Sequence, residues 1–220
     1  MSTLSSDRPV QLVESTPVAD PAPLGLAGFA LTTFLLSGHN ASFIPDLIWV
    51  GPAIFYGGLA QFAAGMWEFR NRNVFGATAF STYGGFWMGL GLFIILGTLS
   101  KNWFAAYTDQ HAVFNALAWF LFAFAVFNTY MLIASLRVNT AVFLVFLTLE
   151  ITEILLVIGF FNISHGGTEW WLHAGGWAGI VTAAVAWYTS SAGVMNGVAG
   201  RVVAPVGRPL VPESRVAAVA

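Results

Sequence analysis

Six continuous runs of apolar residues dominate the chain, and the segments between them and at the two ends hold most of its charged residues. A membrane-spanning helix needs about 20 predominantly apolar residues. Apolar and polar residues do not alternate within the runs, as they would in a membrane barrel. The sequence therefore predicts an all-α polytopic membrane protein, a bundle of six transmembrane helices. The predicted spans are Leu24–Ser37, Ile44–Trp67, Phe75–Thr98, Val113–Leu136, Val138–Ile163 and Trp171–Val194.

The amino-acid composition also supports a location in the membrane. The chain has 57% hydrophobic and 8% charged residues, whereas an average soluble domain carries about 25% charged residues. We therefore expect a multi-pass protein of the cell membrane, which is the cytoplasmic membrane if the source is bacterial. The polar residues 1–19 lack the apolar core of a cleavable signal peptide and are expected to form a disordered tail. Residues 200–220 are expected to form a second disordered tail, which leaves 20–199 as the transmembrane domain.

Basic residues predict the orientation of the spans. In a six-span topology, Lys101 lies on one side of the membrane and every arginine lies on the other. Cytoplasmic loops carry an excess of Lys and Arg, so both termini are expected to be cytoplasmic. The arginines on this side are Arg8, Arg70, Arg72, Arg137, Arg201, Arg208 and Arg215.

Four motifs occur in a defined order along the chain. The sequence reads DPAPLGL from Asp20, FYGGLAQFAAGMWEF from Phe55, FGATAFSTYGGFW from Phe75 and HAGGWAG from His173. Together they resemble the acetate uptake transporter family, the succinate/acetate permeases, over roughly residues 20 to 195. The family signature begins Asn-Pro-Ala-Pro-Leu-Gly-Leu, and here Asp20 stands in the position of that Asn.

This resemblance implies transport rather than enzymatic catalysis. The expected function is passage of acetate and related short carboxylates, with succinate as a further substrate, through a pore within each protomer. The pore would act as an anion channel or as a proton-linked symporter. The family also implies a homohexamer in membrane lipid and a narrow apolar constriction, formed here by Phe29, Tyr83 and Leu149. No Ser-His or metal-ligand spacing suggests bond chemistry, so no catalytic residue, metal, cofactor or nucleic-acid partner is expected.

The first motif has two interpretations. Asp20 is a suitable N-cap and Pro21 a suitable first helical residue, which makes the motif a rigid helix start. Alternatively, the free N–H groups of a helix start offer a binding site to a carboxylate. The motif residues are Asp20, Pro21, Ala22, Pro23, Leu24 and Gly25.

Three further polar residues are candidates for the pore. Thr32 and Thr33 follow Phe29 by three and four positions, so all three share one face of the first helix. Gln61 lies within the second span, where its amide requires a partner. Its two interpretations are a hydrogen bond between helices and a contact with substrate. Glu68, next to Arg70 and Arg72, is expected in an interfacial ion pair.

Glu150 and Glu153 lie within the fifth span, where a charged side chain costs about 2.5–3.5 kcal/mol on insertion scales. Glu153 is four residues after Leu149 and so shares its face. Both carboxyl groups are candidates for proton coupling, with Glu153 as the coupling group and Glu150 adjusting it. The alternative is that they are neutral and simply hydrogen-bond a neighbouring helix.

Other classes of membrane protein are less well supported. A retinal protein needs a buried lysine, and the single lysine, Lys101, lies between spans. A non-transporting subunit that binds haem or quinone remains the alternative function. It would require paired histidines inside the bundle, whereas the four histidines lie at or near span ends: His39, His111, His165 and His173.

Overall fold

The computed structural model describes residues 18–100 and 110–211, and it is all-helical over those ranges. The helices are α1 (Ala22–Asn40), α2 (Val50–Ile54), a π-helical turn (Phe55–Ala60), α3 (Gln61–Arg70), α4 (Val74–Leu99), α5 (Gln110–Ser135), α6 (Thr140–Ser164) and α7 (Trp170–Ala199). Among the described residues, five helices are long and apolar enough to cross a membrane: α1, α4, α5, α6 and α7.

The second predicted span differs most from the structure. It was expected to begin at Ile44, but residues 41–49 form a loop and the helical segment runs from Val50 to Arg70. Leu47 adopts a positive φ of 65°, which helical geometry does not allow. Pro45 precedes it and has no backbone N–H to donate. The helix therefore starts later than the apolar run, and the π-helical turn interrupts its α-helical geometry.

Local sequence explains where several helices begin and end. Asn73 accepts a hydrogen bond from the Gly76 N–H at 3.1 Å and caps α4. Asn139 accepts one from the Val142 N–H at 2.9 Å and caps α6 in the same way. At the other end, α7 terminates at Gly200, whose left-handed conformation (φ 60°) is accessible to glycine at little cost.

Residues 200–211 correct the expectation of a disordered tail that starts at residue 200. Asn196 accepts hydrogen bonds from the N–H groups of Val203 and Ala204. The Ala141 N–H donates to the Val206 carbonyl at 2.9 Å, and the N–H groups of Leu210 and Val211 donate to the Leu136 carbonyl. These bonds tie the segment to the turn between α5 and α6. The expected tails at 1–17 and 212–220 lie outside the described residues, as do Arg8, Lys101 and Arg215.

Packing places α1 against α7, α7 against α6, α6 against α5, and α3 against α4. Direct contact between α4 and α5 is sparse, and an aromatic cluster and a cavity fill the space on that side of the bundle.

Candidate functional site

A cavity of about 490 Å³ enters the bundle from one end and reaches the middle of the helices. Side chains from α1, α4, α5, α6 and α7 line it. Its mouth lies at the end of the bundle where α1, α4 and α6 finish and where α5 and α7 begin, and its deepest lining residues are near the helix centres. The lining is mainly apolar, with a few polar side chains.

Phe29, Tyr83 and Leu149 all line the deep part of this cavity, and each is buried. The Phe29 and Tyr83 rings are in contact, with centroids 5.8 Å apart and planes inclined by 60°. Tyr83 also meets the Phe127 ring edge-on at 5.4 Å. The structure therefore brings together three residues that come from different helices and are widely separated in the sequence.

The two threonines of α1 have different environments. Thr33 lines the cavity, and its buried Oγ1 has no hydrogen-bond partner among the described residues. Thr32 is absent from the cavity wall. Its Oγ1 donates to the Gly28 carbonyl at 2.9 Å, and its side chain fills the space that a Cβ on Gly57 would need. Only Thr33 is positioned to donate to a carboxylate in the cavity.

Gln61 and Glu68 are buried but lie outside the cavity lining. Gln61 packs beside Gly28 of α1, and its Oε1 has no hydrogen-bond partner among the described residues, so the expected bond between helices is not made by that atom. The ion pair expected for Glu68 is also not formed within the described residues. Its carboxylate is fully buried and accepts a hydrogen bond from Asn71 Nδ2 at 3.2 Å, while Oε1 is unpartnered.

The DPAPLG motif fixes the start of α1 at the end of the bundle opposite the cavity mouth. Asp20 accepts a hydrogen bond from the Ala22 N–H at 3.0 Å, and α1 begins at Ala22, one residue later than expected. Ser190 Oγ donates to the Pro23 carbonyl at 2.6 Å, and Gly25 lies against the Phe80 ring. These contacts favour the rigid helix start. The residues of the motif, Leu24 included, are absent from the cavity lining.

Glu153 and Glu150 belong to one hydrogen-bonded network. Glu153 lines the cavity and is buried, and the Tyr83 hydroxyl lies 3.3 Å from its Oε1. The same hydroxyl lies 2.9 Å from Oδ1 of Asn128. Asn128 Nδ2 donates to Glu150 Oε2 at 2.7 Å, and Thr129 Oγ1 lies 2.8 Å from Glu150 Oε1. The network runs from the cavity wall through α5 to the half-buried Glu150.

Sequence reasoning missed Asn128. The available signal was a lone amide side chain in the middle of the apolar run of α5, in the sequence AVFNTYML. A buried amide in a membrane span requires partners and is a candidate for function. The spacing of the run gives no indication of which helix supplies them.

Two histidine–carboxylate pairs flank the cavity mouth. His39 Nε2 lies 3.5 Å from Asp46 Oδ1, and His173 Nε2 lies 3.6 Å from Glu169 Oε2. Ser42 Oγ is 2.9 Å from His173 Nε2. His111 and His165 lie at helix ends, beside backbone carbonyl groups. All four histidines thus lie at the mouth end of the bundle, and not as a facing pair within it.

Comparison with known proteins shows the family and the relatives that the chain matches. The model of the GPR1/FUN34/yaaH family matches residues 2–208. The chain is 42% identical over 184 residues to Accumulation of dyads protein 2 of Saccharomyces cerevisiae, an alignment that covers 80% of this chain and 61% of that protein. It is 38% identical over 195 residues to the succinate-acetate/proton symporter SatP of Escherichia coli, covering 88% and 97%. The solved structure of the bacterial acetate channel SatP superposes with a TM-score of 0.77 at 36% identity, covering 87% of this chain and all of that one.

Relatives differ in length. The chain spans about three fifths of the fungal proteins that it matches and nearly the whole of SatP from Escherichia coli.

Proposed function

Because the chain belongs to the GPR1/FUN34/yaaH family, we propose that it moves acetate and related short carboxylates, succinate among them, across the cell membrane. One observation carries the proposal: the cavity ends in the buried trio Phe29, Tyr83 and Leu149, in a chain that superposes on a structure described as an acetate channel. No bond is made or broken in this process, so the chain acts as a transporter and not as an enzyme.

The path of the substrate follows from the lining of the cavity. A carboxylate enters between the two histidine–carboxylate pairs and loses water as the walls become apolar. Thr33 offers a free hydroxyl to the carboxylate before the constriction. The constriction residues Phe29, Tyr83 and Leu149 then admit small alkyl groups and hinder bulky ones.

The protomer crosses the membrane six times in this proposal. The helical stretch from Val50 to Arg70 supplies the additional crossing, because 21 residues at 1.5 Å per residue extend for about 30 Å, the thickness of the hydrocarbon core. Both termini are cytoplasmic, and the cavity mouth opens on the opposite side. Single cysteines at Arg72 and Arg208 should resist an impermeant thiol reagent in intact cells, whereas one at Lys101 should react. Reaction at Arg208 would contradict the six-span topology.

Proton coupling is assigned to Glu153, which is buried in the cavity wall beside Tyr83. Release of its proton would accompany the passage of the substrate, and Glu150 would adjust the pH at which this occurs. We further propose a homohexamer. Gly85 and Gly89 of α4 support this, because a Cβ at either position would meet no neighbouring helix within 4 Å among the described residues, which leaves a surface for close helix contact with another copy.

Uptake of labelled acetate by liposomes that contain the purified protein tests the function. Uptake should exceed that of protein-free liposomes, and an inwardly directed proton gradient should increase the difference. A rate equal to that of protein-free liposomes would refute transport of acetate. The haem- or quinone-binding alternative would instead appear as a bound chromophore in the visible or ultraviolet spectrum of the purified protein.

A further inference from the structure

Asn128 holds a fixed orientation between the two carboxyl groups. Its Nδ2 lies 3.0 Å from the Phe146 carbonyl and 2.7 Å from Glu150 Oε2, and both of these atoms are acceptors. The side chain is 0% exposed, so water cannot substitute for either partner. Rotating the amide by half a turn would place its oxygen against two acceptors. Oδ1 must therefore face the Tyr83 hydroxyl.

Two acceptors compete for the Tyr83 hydroxyl proton. Its hydroxyl carries one proton, and both Asn128 Oδ1 and Glu153 Oε1 are within reach, at 2.9 and 3.3 Å. If Glu153 is neutral, its Oε1 hydroxyl donates to the Tyr83 oxygen and Tyr83 donates to Asn128, so both of these contacts are hydrogen bonds, while Glu153 Oε2 has no partner among the described residues. If Glu153 is ionised, Tyr83 donates its hydrogen bond to the Glu153 carboxylate, and Asn128 Oδ1 is left without a donor. Ionising Glu153 therefore costs a buried hydrogen bond.

Glu150 lies on the other side of Asn128. Its Oε2 accepts a hydrogen bond from Asn128 Nδ2, and its Oε1 lies 2.8 Å from Thr129 Oγ1. The single Thr129 hydroxyl proton also has the Ala125 carbonyl within reach, at 2.9 Å. The bond from Asn128 Nδ2 is therefore the contact that fixes the amide relative to Glu150.

We infer that Asn128 is a positioning residue that keeps the proton on Glu153. This inference rests on the proposed function, in which Glu153 is the coupling group. It deepens that function by naming the residue that sets the protonation of Glu153.

Few other titratable groups face this pair among the described residues. Tyr83 approaches from α4, and Tyr130 lies on α5 near the Tyr83 hydroxyl. From α1 the cavity wall presents Phe29 and Thr33, and from α7 Thr182 bonds Thr152, so neither helix brings a titratable side chain to Glu153. The remaining titratable groups of the cavity lie toward its mouth: His39, Asp46, Glu169 and His173.

Two substitutions at Asn128 should move the titration of Glu153 in opposite directions. Asn128→Leu removes the acceptor, which frees the Tyr83 proton for an ionised Glu153, so the pH at which Glu153 loses its proton should fall by about one unit, the size of one buried hydrogen bond. Asn128→Asp keeps an acceptor for Tyr83 and adds a carboxyl group, so this pH should rise. Thr182→Val is the matched control, because it also removes a buried hydrogen bond in the bundle but is separate from the network.

The measurement is infrared difference spectroscopy during a pH titration of the purified protein. The protonated-carboxyl band of Glu153 is identified by its loss in Glu153→Gln. Opposite shifts in the two Asn128 variants and none in Thr182→Val would support the inference. No shift, or shifts of the same sign, would overturn it, as would a Glu153 that is already ionised near neutral pH. Should Asn128→Leu fail to fold, Asn128→Ala removes the same acceptor with a smaller side chain and takes its place.

Acetate uptake by liposomes, measured across pH with the same variants, distinguishes the role of Asn128 from proton coupling through Glu153. If the band shifts as expected but uptake does not depend on pH, the assignment to Asn128 stands and proton coupling through Glu153 fails. If uptake depends on pH through Glu153 but the band does not respond to Asn128, coupling stands and the role of Asn128 falls.

Discussion

The helices of this chain meet in two contrasting ways. Along α1 and α7, glycines bring backbones into contact: a Cβ on Gly176 would lie 2.5–2.9 Å from backbone atoms of Ser37, Asn40 and Ala41. Between α4, α5 and α6, the contacts are made by large aromatic rings and by the network around Asn128. The two backbones leave no space between them at Gly176, although Ser37 and Asn40 of α1 also line the cavity. The second region lines much of the deep cavity and holds the network around Asn128, so the closest backbone packing and the hydrogen-bonded network lie in different parts of the bundle.

The comparison also separates two kinds of small-residue pattern. Gly175 and Gly179 face Leu156 of α6 and Ser37 of α1, and so belong to the interior of the protomer. Gly85 and Gly89 have the same spacing but face open space. The same motif therefore serves packing within the protomer in one helix and is available for contact between copies in another.

Enlarging Gly176 should have the largest effect. Gly176→Ala places a methyl group against backbone atoms that cannot move aside as a side chain can, so the loss of stability should be at least the roughly 1–3 kcal/mol of an overpacked core. We expect a sharp fall in the yield of folded protein and in its thermal midpoint in detergent. Gly197→Ala is the matched control on the same helix and should unfold at the temperature of the wild type, because a Cβ there meets nothing within 4 Å. Equal stability of the two variants would remove the contrast between the regions.

Replacing Glu153 should change function without changing the fold. Glu153→Gln preserves size and hydrogen bonding but fixes the neutral state, so acetate uptake should lose its dependence on pH. Glu150→Gln should instead shift the midpoint of that dependence. Both variants are compared in liposomes over a range of pH. A wild-type pH profile in Glu153→Gln would make this carboxyl group structural.

The proposed constriction predicts a change in selectivity. Leu149→Ala widens the deep end of the cavity, so uptake of lactate relative to acetate should rise about tenfold, the low end of what one hydrophobic group contributes to discrimination. Phe29→Ala removes bulk at the same level, whereas Tyr83→Phe removes only a hydroxyl and should leave the ratio nearly unchanged. If the substrate profile is the same in all three variants, the constriction lies elsewhere.

Thr33 and Thr32 provide the finest test. Thr33→Val removes a free hydroxyl from the cavity wall and should raise the KM for acetate by about two- to tenfold, the range of one hydrogen bond. Thr32→Val alters a side chain that packs on Gly57 and should leave the KM unchanged. Uptake rates over a series of acetate concentrations measure both. A larger effect at Thr32 would place the path of the substrate on the other face of α1.

Much of the fold was predictable because each apolar run is long and continuous. The helices α4, α5, α6 and α7 were identified from hydropathy alone, and their ends differ from the predicted spans by a few residues. The start of the second span was not, because the run beginning at Ile44 is apolar but contains Pro45 and reaches Leu47, which adopts a positive φ. Hydropathy records the solvent a segment prefers and not the dihedral angles of its residues.

The site was predictable in part, because a motif supplies residues but not their directions. Helical spacing placed Thr32 and Thr33 on one broad face with Phe29, but the structure directs only Thr33 into the cavity, since Gly57 of the neighbouring helix accepts the Thr32 side chain. No motif or helical spacing in the sequence identified Asn128 as part of the site. Its partners are 45 residues earlier and 22 residues later in the sequence, and only the packing of three helices brings them together.

The π-helical turn Phe55–Ala60 has a consequence for the register of the chain. Such a turn closes its hydrogen bonds five residues apart, and so it accommodates one more residue than an α-helical turn does. Since successive residues of an α-helix are rotated by about 100°, the faces of Val50–Ile54 and Gln61–Arg70 are offset by one position. Deleting one residue between 55 and 60 would convert the turn to α-helix and rotate Gln61 and Glu68 together out of the protein interior. A single extra residue thus determines which side chains of Gln61–Arg70 are buried in the protein and which face outward.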